Sequence, residues 1–221
     1  MLFLLAGRDS TSAALTWTMY ELSRHPDWVL SIRDEVEGIL NTEKKNSGSI
    51  KDEGNPLSDP ENFGIDNIQR MKTVHAVVME TLRLHSPAPD NYRFAKHSTT
   101  LPDGTFVPAT ALVMFSPYTI NHSEQVWGQN ADNFDPTRWL KHDGSSSYSS
   151  LEPSPTRFPT FGLGPRICPG RNLALLELKM TVAFLCCNFD FVDEAGHDGD
   201  YLWTIVMSMK DGFPVRVTKR K

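Results

Sequence analysis

Long apolar runs are missing from this 221-residue chain. The N-terminal Met1-Leu-Phe-Leu-Leu-Ala6 is far too short to span a bilayer, and Arg8-Asp9 follows at once. It also lacks the basic region and cleavage site of a signal peptide, so no membrane segment or leader is expected within the chain. Basic excess is absent too: 22 Lys+Arg stand against 27 Asp+Glu, which leaves no argument for a nucleic-acid partner. Cysteine is scarce. Of the three, Cys186 and Cys187 are adjacent and unable to form an ordinary bridge, which argues for a reducing compartment rather than a disulfide framework. Cys168 has no Cys-x-x-Cys partner and no nearby His, which argues against zinc. The seven histidines show no ligand spacing and are expected mostly at the surface or in loops. No Gly-Lys-Ser/Thr follows any glycine-rich stretch, so a phosphate loop is excluded.

What the chain does have is Phe161-Gly-Leu-Gly-Pro-Arg-Ile-Cys-Pro-Gly170, running into Arg171-Asn-Leu-Ala-Leu-Leu-Glu-Leu178. It places Cys168 in a tight glycine-rich loop at the mouth of an apolar helix. A thiolate there lies near unpaired backbone N–H groups and the positive end of the helix dipole, which favour its charged form. Gly162, Gly164 and Gly170 permit turns that a side chain would block, and Pro169 is pre-set for a first helical turn. Arg166 adds a fixed positive charge suited to a carboxylate. A free cysteine is by default a small buried hydrophobe. This one has the setting that a flat, carboxylate-bearing iron cofactor needs on the face opposite its substrate.

The pattern Phe-x-x-Gly-x-Arg-x-Cys-x-Gly resembles the heme-binding loop of the cytochromes P-450, the heme-thiolate monooxygenases. The resemblance implies that Cys168 is the axial ligand of a heme b iron. It likewise implies that Phe161, Gly162, Arg166 and Gly170 belong to the cofactor-binding loop.

The rest of the chain reads as mainly helical with a small β component. A helix over residues 1–24 is stopped by His25-Pro26, and an amphipathic helix over 27–40 carries Val29, Ile32, Val36 and Leu40 on one stripe. A polar loop is expected over 41–64. From Ile65 a short helix leads to a stronger one over 71–85, with Val74, Val77, Val78, Thr81 and Leu82 facing a core, ended by Ser86-Pro-Ala-Pro89. Short β-like runs follow at 105–107 and 111–115, then a Ser/Pro/Gly-rich loop at 141–157. The helix after Cys168, to about Cys187, is apolar nearly all round and should be buried. Three short strands, at 189–192, 205–209 and 215–217, end the chain, with a turn at Asp211-Gly212.

Glu80-Thr-Leu-Arg83 puts two opposite charges on one helical face in apolar surroundings, and a buried pair is tolerable only inside a fuller polar network. Phe134-Asp-Pro-Thr-Arg138-Trp offers a third member. By resemblance Glu80, Arg83 and Arg138 form the structural triad that holds the heme loop in shape. Ala6-Gly-Arg-Asp-Ser-Thr11 is similar to the family's oxygen-activating segment. There Gly7 would let the helix loosen, and Asp9 with the next hydroxyl would deliver protons. Ser10 stands where the family usually has Thr, keeping the hydroxyl but not the methyl that fixes its rotamer, and Thr11 is a substitute. Arg93 matches a propionate partner. Segments 87–92 and 204–207 correspond to substrate-contact loops.

The resemblance covers the whole chain as the C-terminal portion of the P-450 fold, starting within the oxygen-binding helix. The N-terminal half and membrane anchor are expected to be absent, so the isolated chain should expose apolar patches. It implies insertion of one oxygen atom into a small hydrophobic substrate, in character closest to the fatty-acid and alkane ω-hydroxylases. Electrons would come from NADPH through a separate NADPH-cytochrome P-450 reductase, since the chain carries no flavin or dinucleotide motif. The full-length family sits on the cytosolic face of the endoplasmic reticulum membrane. The alternatives are a heme-thiolate isomerase or peroxygenase and a non-catalytic truncated remnant.

Overall fold

The computed structural model describes residues 2–47, 64–142, 148–151, 153–194 and 196–220. Helix α1 (Leu2–Arg24) ends at His25, and α2 (Pro26–Ser47) begins on the proline, whose fixed φ suits a first helical turn. The helix expected to stop at residue 40 runs on to Ser47. Residues 48–63 of the expected polar loop lie outside the described residues, as do 143–147 and 152 of the later one.

α3 (Ile65–Arg70) and α4 (Lys72–Leu84) follow. Met71 heads α4 with no side-chain cap. The cap comes from α2: Glu35 Oε1 accepts from the N–H groups of Lys72 and Thr73 at 2.7 Å each, and Oε2 from Val74 at 3.2 Å. A carboxylate there satisfies three orphan donors and complements the helix dipole. α4 is the central helix. Every residue from Val74 to Leu84 is buried, well beyond the expected apolar face.

β1 (Asn91–Phe94) pairs antiparallel with β4 (Leu112–Phe115), and β2 (Thr99–Thr100) with β3 (Phe106–Val107). The first ladder sets Tyr92 opposite Met114 and Phe94 opposite Leu112, all four well exposed. α5 (Pro117–Asn121) and α6 (Glu124–Trp127) come next, then β5 (Leu140–His142) against β6 (Tyr148–Ser150). α7 (Arg171–Asn188) packs on α1, α2 and α4. Its burial is one-ended: Leu178, Val182, Ala183, Cys186 and Cys187 are in the core, while Leu173 is 60% exposed.

In the tail, β7 (Phe189–Asp193) pairs with β10 (Val215–Lys219), and β8 (Tyr201–Leu202) with β9 (Ser208–Met209). Asp211 and Gly212 do turn the chain, both at positive φ. They join two strands that pair with different partners, so the expected hairpin across them does not form. The molecule is mainly helical with a small β component, and among the described residues no helix is long and apolar enough to cross a membrane.

Candidate functional site

The cysteine loop is built from two single-turn 3₁₀ helices, Pro159–Phe161 and Gly164–Arg166. Gly162 between them has φ +77°, and a Cβ there would stand 3.2 Å from the Arg166 carbonyl oxygen. Only glycine fits both conditions. The Cys168 N–H donates to the Phe161 carbonyl at 2.7 Å, closing the loop and delivering the thiol to the front of α7. Cys168 is exposed; the other two cysteines are buried. Burial, and secondarily the neighbouring Cys187, pushes the Cys186 thiol up to about 12, and burial pushes Cys187 up to about 11. Those two are inert core residues.

A cleft of about 240 Å³ opens in front of the loop. Cys168, Arg166, Phe161 and Gly162 line one side, and Ser10 and Thr11 of α1 line it from another helix. The structure thus brings together residues more than 150 positions apart in the chain. Pro87, Ala88 and Asn91 complete the wall beyond α4. The Arg166 side chain has no hydrogen-bond or ion-pair partner among the described residues. Arg93 is exposed on β1, with Nη1 donating to the Tyr92 carbonyl at 2.7 Å. It does not line the cleft, but residues i and i+2 of a strand share a face, so it points to the same side as Asn91.

α1 is regular α-helix through Gly7, with no loosened turn, and a Cβ at Gly7 would meet nothing within 4 Å. Ser10 Oγ donates to the Ala6 carbonyl at 2.6 Å, whereas the Thr11 hydroxyl has no partner among the described residues. Asp9 faces elsewhere. With Ser12, Thr16, Thr204 and Ser208 it lines a separate polar cavity of about 290 Å³.

Behind the cleft Glu80 and Arg83 form a bidentate pair, at 2.9 Å (Nε to Oε2) and 2.8 Å (Nη2 to Oε1), with both side chains fully buried. Arg138 Nε reaches Glu80 Oε1 at 3.3 Å. Two further donors went unread in the sequence: Trp139 Nε1 at 2.8 Å and the Asp135 N–H at 2.9 Å. A tryptophan beside a buried acid was the available signal, because a buried indole N–H seeks an acceptor. Arg83 also donates to the carbonyls of Asn121, Ala131 and Asn133. Asn121 Nδ2 in turn donates to Thr160 Oγ1 at 2.9 Å, which connects the charged cluster to the residue before Phe161.

Two histidines stand apart from the mostly surface or loop placement expected of the seven. His75 and His85 are buried, and His85 is bonded through both ring nitrogens.

Among the described residues no group of three or more His, Cys, Asp or Glu could hold a metal ion. A metal beside Cys168 therefore needs most of its ligands from a non-protein ring, and the unpaired Arg166 guanidinium suits an acidic substituent on it. The residues fit a heme.

The comparisons agree with that fit. A family model described as Cytochrome P450 matches residues 1–210. The chain is 33% identical over 216 residues to alkane hydroxylase MAH1 of Arabidopsis thaliana, covering 98% of this chain and 38% of that protein. It is 34% identical to cytochrome P450 94A2 of Vicia sativa (98% and 39%) and 33% identical to noroxomaritidine synthase of Narcissus aff. pseudonarcissus MK-2014 (99% and 40%). The chain spans about two fifths of the length of these curated relatives. On a family match over nearly its whole length, and with a lone accessible cysteine presented in a glycine-turned loop, the chain belongs to the cytochrome P450 family.

Proposed function

We propose that the chain is the heme-thiolate part of a monooxygenase that inserts one oxygen atom of dioxygen into a lipid-like substrate such as a fatty acid or alkane. The observation that carries this reading is the cleft that Cys168 and Arg166 share with Ser10 and Thr11. Cys168 Sγ would hold the iron of heme b, and Arg166 and, from its strand face, Arg93 would hold its carboxylates. When bound there, the heme supplies the iron that binds and activates dioxygen, with thiolate electron density favouring O–O cleavage.

The remaining work falls to side chains. Phe161 and Gly162 shape the loop, and Glu80, Arg83 and Arg138 hold it from behind. Thr11 Oγ1 is the hydroxyl free to hold a proton at the cleft, since Ser10 Oγ is committed to the Ala6 carbonyl. Asp9 exchanges protons with water in the polar cavity on its own side of α1. One relative, named as an alkane hydroxylase, supports the substrate class. Electrons come from NADPH through a separate NADPH-cytochrome P-450 reductase, with the full-length protein held on the endoplasmic reticulum.

The test is the reduced carbon-monoxide difference spectrum of residues 1–221 reconstituted with heme. A thiolate-heme band that disappears in Cys168→Ala is the expected result. A chain without that band is not a competent heme-thiolate protein. NADPH-dependent oxygen use, with reductase added, then separates a monooxygenase from an isomerase or peroxygenase.

A further inference from the structure

His85 ends α4 and lies immediately before the wall segment 86–91, irregular up to the first residue of β1, of which Pro87, Ala88 and Asn91 line the Cys168 cleft. That wall has little of its own to hold it, because its two prolines have no N–H to donate. Its carbonyls are held from outside: Pro87 accepts from the Met207 N–H at 2.9 Å, and Pro89 from Ser116 Oγ at 2.9 Å and the Tyr118 N–H at 3.2 Å.

The His85 side chain adds a different restraint. Its Nε2 lies 2.7 Å from Glu21 Oε1 on α1, and its Nδ1 lies 2.8 Å from the Tyr201 hydroxyl on β8. The imidazole stacks flat on Trp17, at 4.1 Å between centroids and 3° between planes. His85, Glu21 and Trp17 are all buried. Burial raises the Tyr201 phenol well above its ordinary range, so it stays a neutral O–H at Nδ1. Both ring nitrogens are satisfied whether the imidazole is neutral or charged. One side chain therefore ties together α1, which carries Ser10 and Thr11, the opposing wall, and the tail.

We propose that His85 is a positioning residue that fixes the Pro87–Asn91 wall relative to α1 and the tail strands, and so sets the shape offered to the substrate. This rests on the heme-thiolate reading of the cleft. Tyr201→Phe is the mild perturbation, since it removes the hydroxyl that meets His85 Nδ1 and, on its other side, Tyr118, and keeps the ring. His85→Phe is the severe one, because it leaves Glu21 Oε1 buried without its hydrogen-bond donor and only His25, at 3.5 Å from Oε2, beside the carboxylate.

Amide exchange of the full chain reads the restraint without heme. In Tyr201→Phe, exchange of the Met207 and Tyr118 amides, which donate to the wall carbonyls, should rise about fivefold, as loss of one hydrogen bond gives, while α7 stays unchanged. Unchanged exchange at those two amides, or a uniform rise everywhere, overturns the proposal. In the heme-loaded protein, titrations followed at the Soret band should show lauric acid binding weakened about fivefold and imidazole, which needs only the iron, unaffected. Parallel losses for both probes, or no loss for either, also overturn it. Absence of a thiolate-heme band in the unaltered chain sinks the reading of the cleft, and the exchange comparison still decides the restraint.

Discussion

Replacing Glu80 with glutamine keeps the shape of the side chain and removes its charge, at a carboxylate that accepts five hydrogen bonds. Oε1 receives Arg83 Nη2 at 2.8 Å, the Asp135 N–H at 2.9 Å and Arg138 Nε at 3.3 Å. Oε2 receives Arg83 Nε at 2.9 Å and Trp139 Nε1 at 2.8 Å. A glutamine turned either way sets its NH2 group against at least two of these donors. In the better orientation the bonds from Arg83 Nε and Trp139 are lost. Hydrogen bonds to a charged group contribute about 1.5–3 kcal/mol each, and the Arg83 cation is left buried without its counter-charge. The expected loss is about 3–5 kcal/mol, as for breaking a buried ion pair. With a urea slope of about 2 kcal/mol per molar, the unfolding midpoint followed by far-UV circular dichroism should fall by about 2 M. A change in stability below about 1 kcal/mol would refute the argument that Glu80 is held as a carboxylate by all five donors.

Two other substitutions test the packing around α4. Glu35→Ala removes the acceptor shared by three N-terminal amides of α4 and should destabilise by about 1–2 kcal/mol in the same urea experiment. No loss would mean that water caps the helix equally well. Lys179, buried on α7, has its pKa lowered to about 8 by burial and by the Lys72 cation, against the pull of Glu35. The unfolded chain then holds this proton and the folded chain does not between about pH 8 and 10.5, so stability rises with pH across that window. At pH 7 the folded protein carries the full cost of a buried ammonium. Lys179→Met should therefore stabilise it by on the order of 3 kcal/mol, at 1.36 kcal/mol per pH unit, and the gain should shrink as the pH approaches 10.5. A gain that stays constant with pH would point to better apolar packing alone.

How far the sequence could be read depended on whether a feature is local. The cysteine loop was legible because glycines, prolines and the thiol act on their immediate neighbours, and the helix ends at Pro26 and Pro87 were legible for the same reason. Strand pairing was not. Asp211-Gly212 has the chemistry of a hairpin turn, yet β10 selects β7, and that choice is made by distant apolar faces rather than by the turn. β1 (Asn91–Phe94) is too short to show a period, and the resemblance assigns only its first two residues to the contact segment 87–92. Glu35 and His85 were illegible in a stricter sense. Glu35 looks like an ordinary charged residue in the middle of α2 and His85 like a polar residue at a helix end, and the role of each exists only once another element supplies the orphan amides or the opposing carboxylate.

The same logic bears on why charge is buried under the cleft at all. An apolar pair in place of Glu80 and Arg83 would pack without the cost of desolvation, and such replacements often leave a protein no less stable. It could not do what the guanidinium fork does. Arg83 gathers the carbonyls of Asn121, Ala131 and Asn133 from three points of a segment with little regular structure, at 2.7, 2.5 and 3.0 Å. Asn121 then holds Thr160, one residue ahead of the cysteine loop. Apolar contacts are non-directional and would let that segment slide. A planar donor with fixed angles does not. The buried pair is thus better understood as a device for placing the loop that presents Cys168 than as a source of stability, and the contribution of Glu80 is to make that donor affordable in the core.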